Sequence, residues 1–163
     1  MNKYLIVNTG SASKKYALYE NEKELIRVHL EKIAEGFSCN LIINDKTDKI
    51  EISSADYENS VEFALNKIIA SGIISQKEDI STIGIRVVAP RDYFSENRKV
   101  DDEFVAKLQE AKEEVPLHIK PIFAEIEGLR KNFSQTNLIA ISDSAFHKDL
   151  PAKARLYALP LKT

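Results

Sequence analysis

The segment Asn8-Thr9-Gly10-Ser11-Ala12-Ser13-Lys14-Lys15 supplies an amide, hydroxyls, small residues and two cations directly after an apolar run. A phosphate needs those groups from a turn. The G-x-x-x-x-G-K-(S/T) spacing of a P-loop is absent, and by composition alone a polar hairpin turn is the preferred reading, since Gly and Ser are default turn residues. Arg86 sits inside the apolar run Ile83 to Val88. Its planar fork suits a carboxylate or phosphate, although a solvated edge arginine or a structural ion pair accounts for it equally well. His118, in Pro116-Leu117-His118, can donate to a phosphoryl oxygen or serve as a surface or capping group. Asp143 ends the last apolar strand, where a carboxylate can meet hydrated magnesium or simply form a turn. His147 adds a second metal-type side chain, but two ligands do not make a site.

These residues need elements to hold them. Tyr4–Val7 reads as a strand closed by the polar turn, and Lys15–Tyr19, Leu25–Leu30, Cys39–Ile43 and Ile50–Ile52 read as further strands separated by polar breaks. The opening fifty residues are therefore an antiparallel meander. From Asp56, a plausible N-cap, the period becomes helical through Tyr57, Val61, Ala64, Leu65, Ile68 and Ile69, with Gly72 as the stop. Ile80–Val88 reads as a central strand. Asp101 caps a second helix through Phe104, Leu108, Ala111 and Val115, and Pro121 opens a third carrying Ile122, Ile126 and Leu129. Leu138–Ile141 is a buried-type strand, and Ala154–Leu159 a weaker extended segment. The order predicts an α/β fold, an antiparallel meander followed by parallel crossover strands with flanking helices. Ligands collect at the carboxyl ends of such strands, where Asn8 to Ser13, Arg86 and Asp143 all fall.

Composition narrows the classes. The chain has 163 residues, 44% apolar, enough for a genuine core. Lys+Arg 23 against Asp+Glu 25 leaves a net charge of −2, with no footprint for nucleic acid or an anionic membrane. One cysteine, Cys39, allows neither an internal disulfide nor a cysteine-based zinc site. It reads as a small core residue. No apolar run approaches a signal peptide or a membrane span, so the expected location is cytoplasmic. The run Glu110-Ala111-Lys112-Glu113-Glu114 reads as a solvated helix face.

Taken in order, four blocks resemble the N-terminal part of acetate kinase and its propionate and butyrate kinase relatives. Asn8 to Tyr16 is similar to the family's N-(A/T)-G-S-S-S-x-K-(Y/F), and Gly84-Ile85-Arg86-Val87-Val88 to its G-H-R-V-V. Pro116-Leu117-His118 resembles P-L-H-N-P, and Asp143-Ser144-Ala145-Phe146-His147 with Tyr157-Ala158-Leu159-Pro160 resembles F-D-T-A-F-H…Y-A-L-P. The resemblance implies a ribonuclease H-like lobe of the actin and sugar-kinase type, and transfer of the ATP γ-phosphoryl to a short-chain carboxylate, with Mg2+ and ATP as cofactors. It implies roles residue by residue. Asn8 would stand at the magnesium, Ser11, Ser13 and Lys15 at the nucleotide phosphates, and Arg86 at the substrate carboxylate. Val88 and Leu117 would face the alkyl end, His118 the transferring phosphoryl, and Asp143 would be the essential acid.

The chain departs from the pattern at Ala12, at Ile85 for histidine, at Ala89-Pro90-Arg91 for His-Gly-Gly, and at Ile119 for asparagine. Family members are more than twice as long, with a second lobe that completes the cleft. The expectation is one lobe over residues 1–163, with little or no turnover alone, either an excised piece of a longer chain or a product that works with a separately encoded C-terminal lobe. The alternative is a non-catalytic carboxylate-, phosphate- or protein-binding module on the same fold.

Overall fold

The computed structural model describes residues 2–146, without the side chains of His118 and Phe146. The expected extended segment Ala154–Leu159, His147 and the Tyr157–Pro160 part of the last motif lie outside the described residues. Five strands form the meander: β1 (Lys3–Thr9), β2 (Ser13–Glu20), β3 (Lys23–Ile33), β4 (Gly36–Ile43) and β5 (Lys46–Ile52). Each pairs antiparallel with the next. Two later strands, β6 (Ile80–Val87) and β8 (Asn137–Ser142), add in parallel to β1 and to β6 respectively. A two-residue strand, β7 (Arg98–Lys99), closes the edge antiparallel to β8. The sheet order is β5-β4-β3-β2-β1-β6-β8-β7. Meander and parallel crossovers are as expected. β7 was not foreseen, because two charged residues carry no strand periodicity.

The helices correct three expected boundaries. Ser53, not Asp56, is the first N-cap: its hydroxyl accepts from the Asp56 N–H at 3.1 Å, and the Asp56 carboxylate accepts from the Ser53 N–H at 3.0 Å. This reciprocal pair places Asp56 one turn in. The helix also breaks at Asn59 into α1 (Ser54–Glu58) and α2 (Ser60–Ala70). Gly72 ends α2 as expected, in the left-handed region at φ +74°. Asp101 caps α3 (Asp102–Glu114), accepting from the Phe104 N–H at 2.9 Å. The following helix, α4 (Pro116–Asn132), starts at Pro116 and carries Pro121 inside it. Pro116 takes the first position, where a missing N–H is harmless, whereas Pro121 forfeits one bond in the second turn. A final short helix, α5 (Asp143–Phe146), follows β8 directly.

The core lies between the sheet and the helices. Leu5, Val7, Tyr16, Leu18, Val28, Ile83 and Ile85 point from the strands toward Leu65, Ile68, Leu108, Ile126 and Leu129, all buried. Helices α1, α2 and α4 pack on this one face, and α3 packs on α4. Residues that alternate to the other face of the parallel strands include Ile6 and Ile141, both exposed, with Gly84 between them. Among the described residues no helix is long and apolar enough to cross a membrane.

Candidate functional site

Strand alternation sends Ile83, Ile85 and Val87 into the core and Arg86 to the open side of β6. The Arg86 Nε donates to Asp143 Oδ1 at 2.8 Å, joining the ends of two adjacent parallel strands. Both side chains keep water contact, at 49% and 31% exposure. This bond holds the Arg86 guanidinium above its ordinary pKa. Arg86 is thus ion-paired and half exposed at once, but it is not an edge arginine, because β6 lies between β1 and β8.

Asp143 is aimed by its neighbour Ser142. The buried Ser142 hydroxyl donates to the Phe94 carbonyl and accepts from the Ala145 N–H at 3.1 Å, while its own N–H donates to Asn97 Oδ1 at 2.9 Å. The strand end and the first turn of α5 are therefore locked to the loop before β7.

A cavity of about 260 Å³ opens beside Arg86, lined by Thr9, Gly10, Ser11, Arg86, Val88, Leu117, Pro121 and Ile122. It joins a hydroxyl-bearing turn and a cation to an apolar wall, a combination that fits a small organic anion. Of the residues singled out in the sequence, the structure brings Ser11, Arg86, Val88 and Leu117 to this cavity, with Asp143 bonded to Arg86. Leu117 is 82% exposed, so its apolar surface faces open space rather than core.

Ser13, Asn8 and Lys15 are not among the residues that line it. Ser13 begins β2, and its carbonyl accepts from the Gly10 N–H at 2.8 Å, closing the turn. Asn8 and Lys15 are register partners on neighbouring strands. By alternation they share the sheet face of Arg86, and Lys15 is exposed there. His118 falls in the first turn of α4. Ile85 and Ile119, two of the departures from the family pattern, are both buried core residues, so those changes alter packing and not the cavity lining.

Two features escaped the sequence reading. Pro121 and Ile122 line the cavity because they follow Leu117 by one helical turn, a spacing visible only once the helix starts at Pro116. Lys14, not Lys15, turns inward: its Nζ donates to Ser60 Oγ at 2.7 Å and to the Tyr57 carbonyl at 3.1 Å, and lies 3.3 Å from Glu125 Oε2. The Tyr16 hydroxyl donates to the same carboxylate, and burial with that negative charge raises the Tyr16 pKa well above its ordinary value. Alternation through the buried Tyr16 and Leu18 was the signal for Lys14. The Glu110–Glu114 face is solvated as expected, and Glu110 and Glu114 on it also hold Arg91.

The pattern of the Acetokinase family matches residues 3–163. The chain is 33% identical to the acetate kinase of Clostridium novyi over 97% of its own length and 41% of that relative. It is 31% identical to the acetate kinase of Bacillus cytotoxicus, covering 98% of this chain and 41% of that one. The crystal structure of Porphyromonas gingivalis acetate kinase superposes with a TM-score of 0.82 at 27% identity, covering 98% of this chain and 42% of that one. A propionate kinase from Francisella tularensis, at 24% identity, gives 0.79 over 99% and 42%. The architecture is thus the actin-like ATPase fold of those kinases, and the chain spans about 41% of the length of the curated relatives it matches. With its fold, its motifs and nearly its whole length in agreement, the chain belongs to the acetokinase family.

Proposed function

We propose that this chain is one lobe, residues 1–163, of an apparatus that moves a phosphoryl group between ATP and a short-chain carboxylate. A carboxylate oxygen attacks the γ-phosphorus, the bond to the departing ADP oxygen breaks, and an acyl phosphate forms. One observation carries the reading: Arg86, tethered through Nε to Asp143, lines a cavity together with the Thr9–Ser11 turn and the apolar side chains of Val88, Leu117, Pro121 and Ile122. A guanidinium pairs with the carboxylate while the apolar wall takes the alkyl end. Ser11, Ser13 and Lys15 serve the nucleotide phosphates, and His118 the transferring phosphoryl.

The donor set suits magnesium carried in by a nucleotide. Asn8 and Asp143 supply an amide and one carboxylate, and among the described residues no three His, Cys, Asp or Glu cluster together. Magnesium keeps several waters and takes phosphate oxygens, so one carboxylate is enough. When bound, the ion neutralises charge on the transferring group. The residues themselves orient the carboxylate and hold it against the turn.

Half a cleft does not exclude water, so turnover needs a second lobe, from further sequence or another polypeptide. The test is ATP-dependent acyl-hydroxamate formation from acetate, with the chain alone and with a C-terminal lobe from a family relative. Product is expected only in the mixture, and only with Arg86 intact. Absence of product in the mixture, with both parts folded, favours the second reading, a non-catalytic carboxylate-binding module. One observation supports that alternative: the Asp143 carboxylate is already engaged by Arg86.

A further inference from the structure

Arg91 occupies a backbone conformation that suits glycine, with φ 78° and ψ 150°. An arginine there is strained, and three hydrogen bonds hold it in place. Nη2 and Nε donate to the two carboxylate oxygens of Glu114 at 2.6 and 3.3 Å, and Nη1 donates to Glu110 Oε2 at 2.8 Å. Each of these charges is well exposed, so the fork contributes little net stability. Its position in the fold is more informative than its strength.

Val88 and Leu117 form apolar walls of the same cavity. Arg91 lies three residues after Val88, and Glu114 lies three residues before Leu117. The arms Val88-Ala89-Pro90-Arg91 and Glu114-Val115-Pro116-Leu117 each contain a proline with a fixed φ, and the bidentate Arg91–Glu114 pair ties their far ends. Two stiff arms joined at the base cannot swing apart at the walls without breaking the fork.

We infer that the Arg91 fork sets the separation of Val88 and Leu117, and through it the length of carboxylate admitted beside Arg86. This rests on the carboxylate reading above. Arg91 is a positioning residue that acts through the two walls. With the fork closed, short carboxylates are favoured; with it open, longer alkyl chains gain a place.

The test titrates the 163-residue protein with acetate, propionate, butyrate and hexanoate by calorimetry. Wild type is compared with Arg91→Gly, which accepts the backbone conformation without the fork, and with the double variant Glu110→Gln/Glu114→Gln. Acetate affinity is expected to stay within about twofold, while the longer acids gain up to about fivefold in all in the variants relative to wild type, the most that releasing an exposed ion pair can supply. Salt at about 0.5 M is expected to move wild type toward the variants and leave Arg91→Gly unchanged. A spin-label distance between Val88→Cys and Leu117→Cys, widened by Arg91→Gly, reads the walls directly. Unchanged size preference in Arg91→Gly, with acetate still bound, overturns the fork and leaves the carboxylate reading standing. If wild type binds none of the four acids, both fall.

Discussion

Lys14 and Glu125, from the strand after the turn and from the helix that lines the cavity, form an ion pair at 3.3 Å with 12% and 1% of their side chains exposed. The pair connects the Gly10–Ser13 turn to the helix bearing Leu117, Pro121 and Ile122. Burying both charges is costly, and their attraction together with the bonds from Tyr16 and to Ser60 offsets that cost.

Removing one member should therefore be worse than removing both. Glu125→Ala leaves the Lys14 ammonium without its counter-charge and the Tyr16 hydroxyl without its acceptor, and should destabilise the fold by about 3–5 kcal/mol. Lys14→Met and Glu125→Leu combined with Tyr16→Phe, which removes the hydroxyl that donates to Glu125, should recover most of that loss. Urea denaturation midpoints check both, and a Glu125→Ala midpoint equal to wild type would contradict the coupling.

At Arg86 the expectation reverses. The Arg86–Asp143 pair is half exposed, so Arg86→Ala should cost at most about 1 kcal/mol of stability. Acetate affinity should fall by about ten- to a hundredfold, because a charge-assisted pair is lost. Calorimetric titration and a melting curve on the same sample separate the two effects. A large drop in melting temperature with unchanged binding would make Arg86 structural.

Cys39 is fully buried on β4, and burial pushes its thiol up to about 11. The native protein should react slowly with a disulfide reagent at pH 8, at a rate set by opening of the sheet. Urea below the unfolding transition should accelerate the reaction. Immediate stoichiometric labelling would show that the strand is accessible.

His29 lies on β3 in register with Lys15 and Asn40. Burial first, and then the Lys15 charge, lower its pKa from the ordinary value, and among the described residues its Nε2 has no hydrogen-bond partner. In the window below about pH 6.5 the unfolded chain binds the proton more readily, so stability falls as pH drops through that value toward the lowered one. His29→Gln should flatten this part of the curve. Unfolding free energies measured from pH 8 to pH 5 provide the check, and identical slopes in the two proteins would remove His29 as the cause.

The meander, the parallel strands around Arg86 and Asp143, the Asp101 cap and the Gly72 stop were legible because each follows from local rules. Alternating burial makes a strand, a short polar side chain satisfies a helix N-terminus, and glycine accepts a positive φ. The strand ends then bring Arg86 to Asp143 through topology alone. Ser53 as cap, the start of α4 at Pro116, the burial of Lys14 against Glu125 and the grip of Glu110 and Glu114 on Arg91 were settled only in three dimensions. For the caps and helix starts, residues of similar chemistry a few positions apart compete for one role. For Lys14 and Arg91 the deciding partner, Glu125 or Glu114, comes from a distant element, and that depends on how sheet and helices pack rather than on the order of residues along the chain.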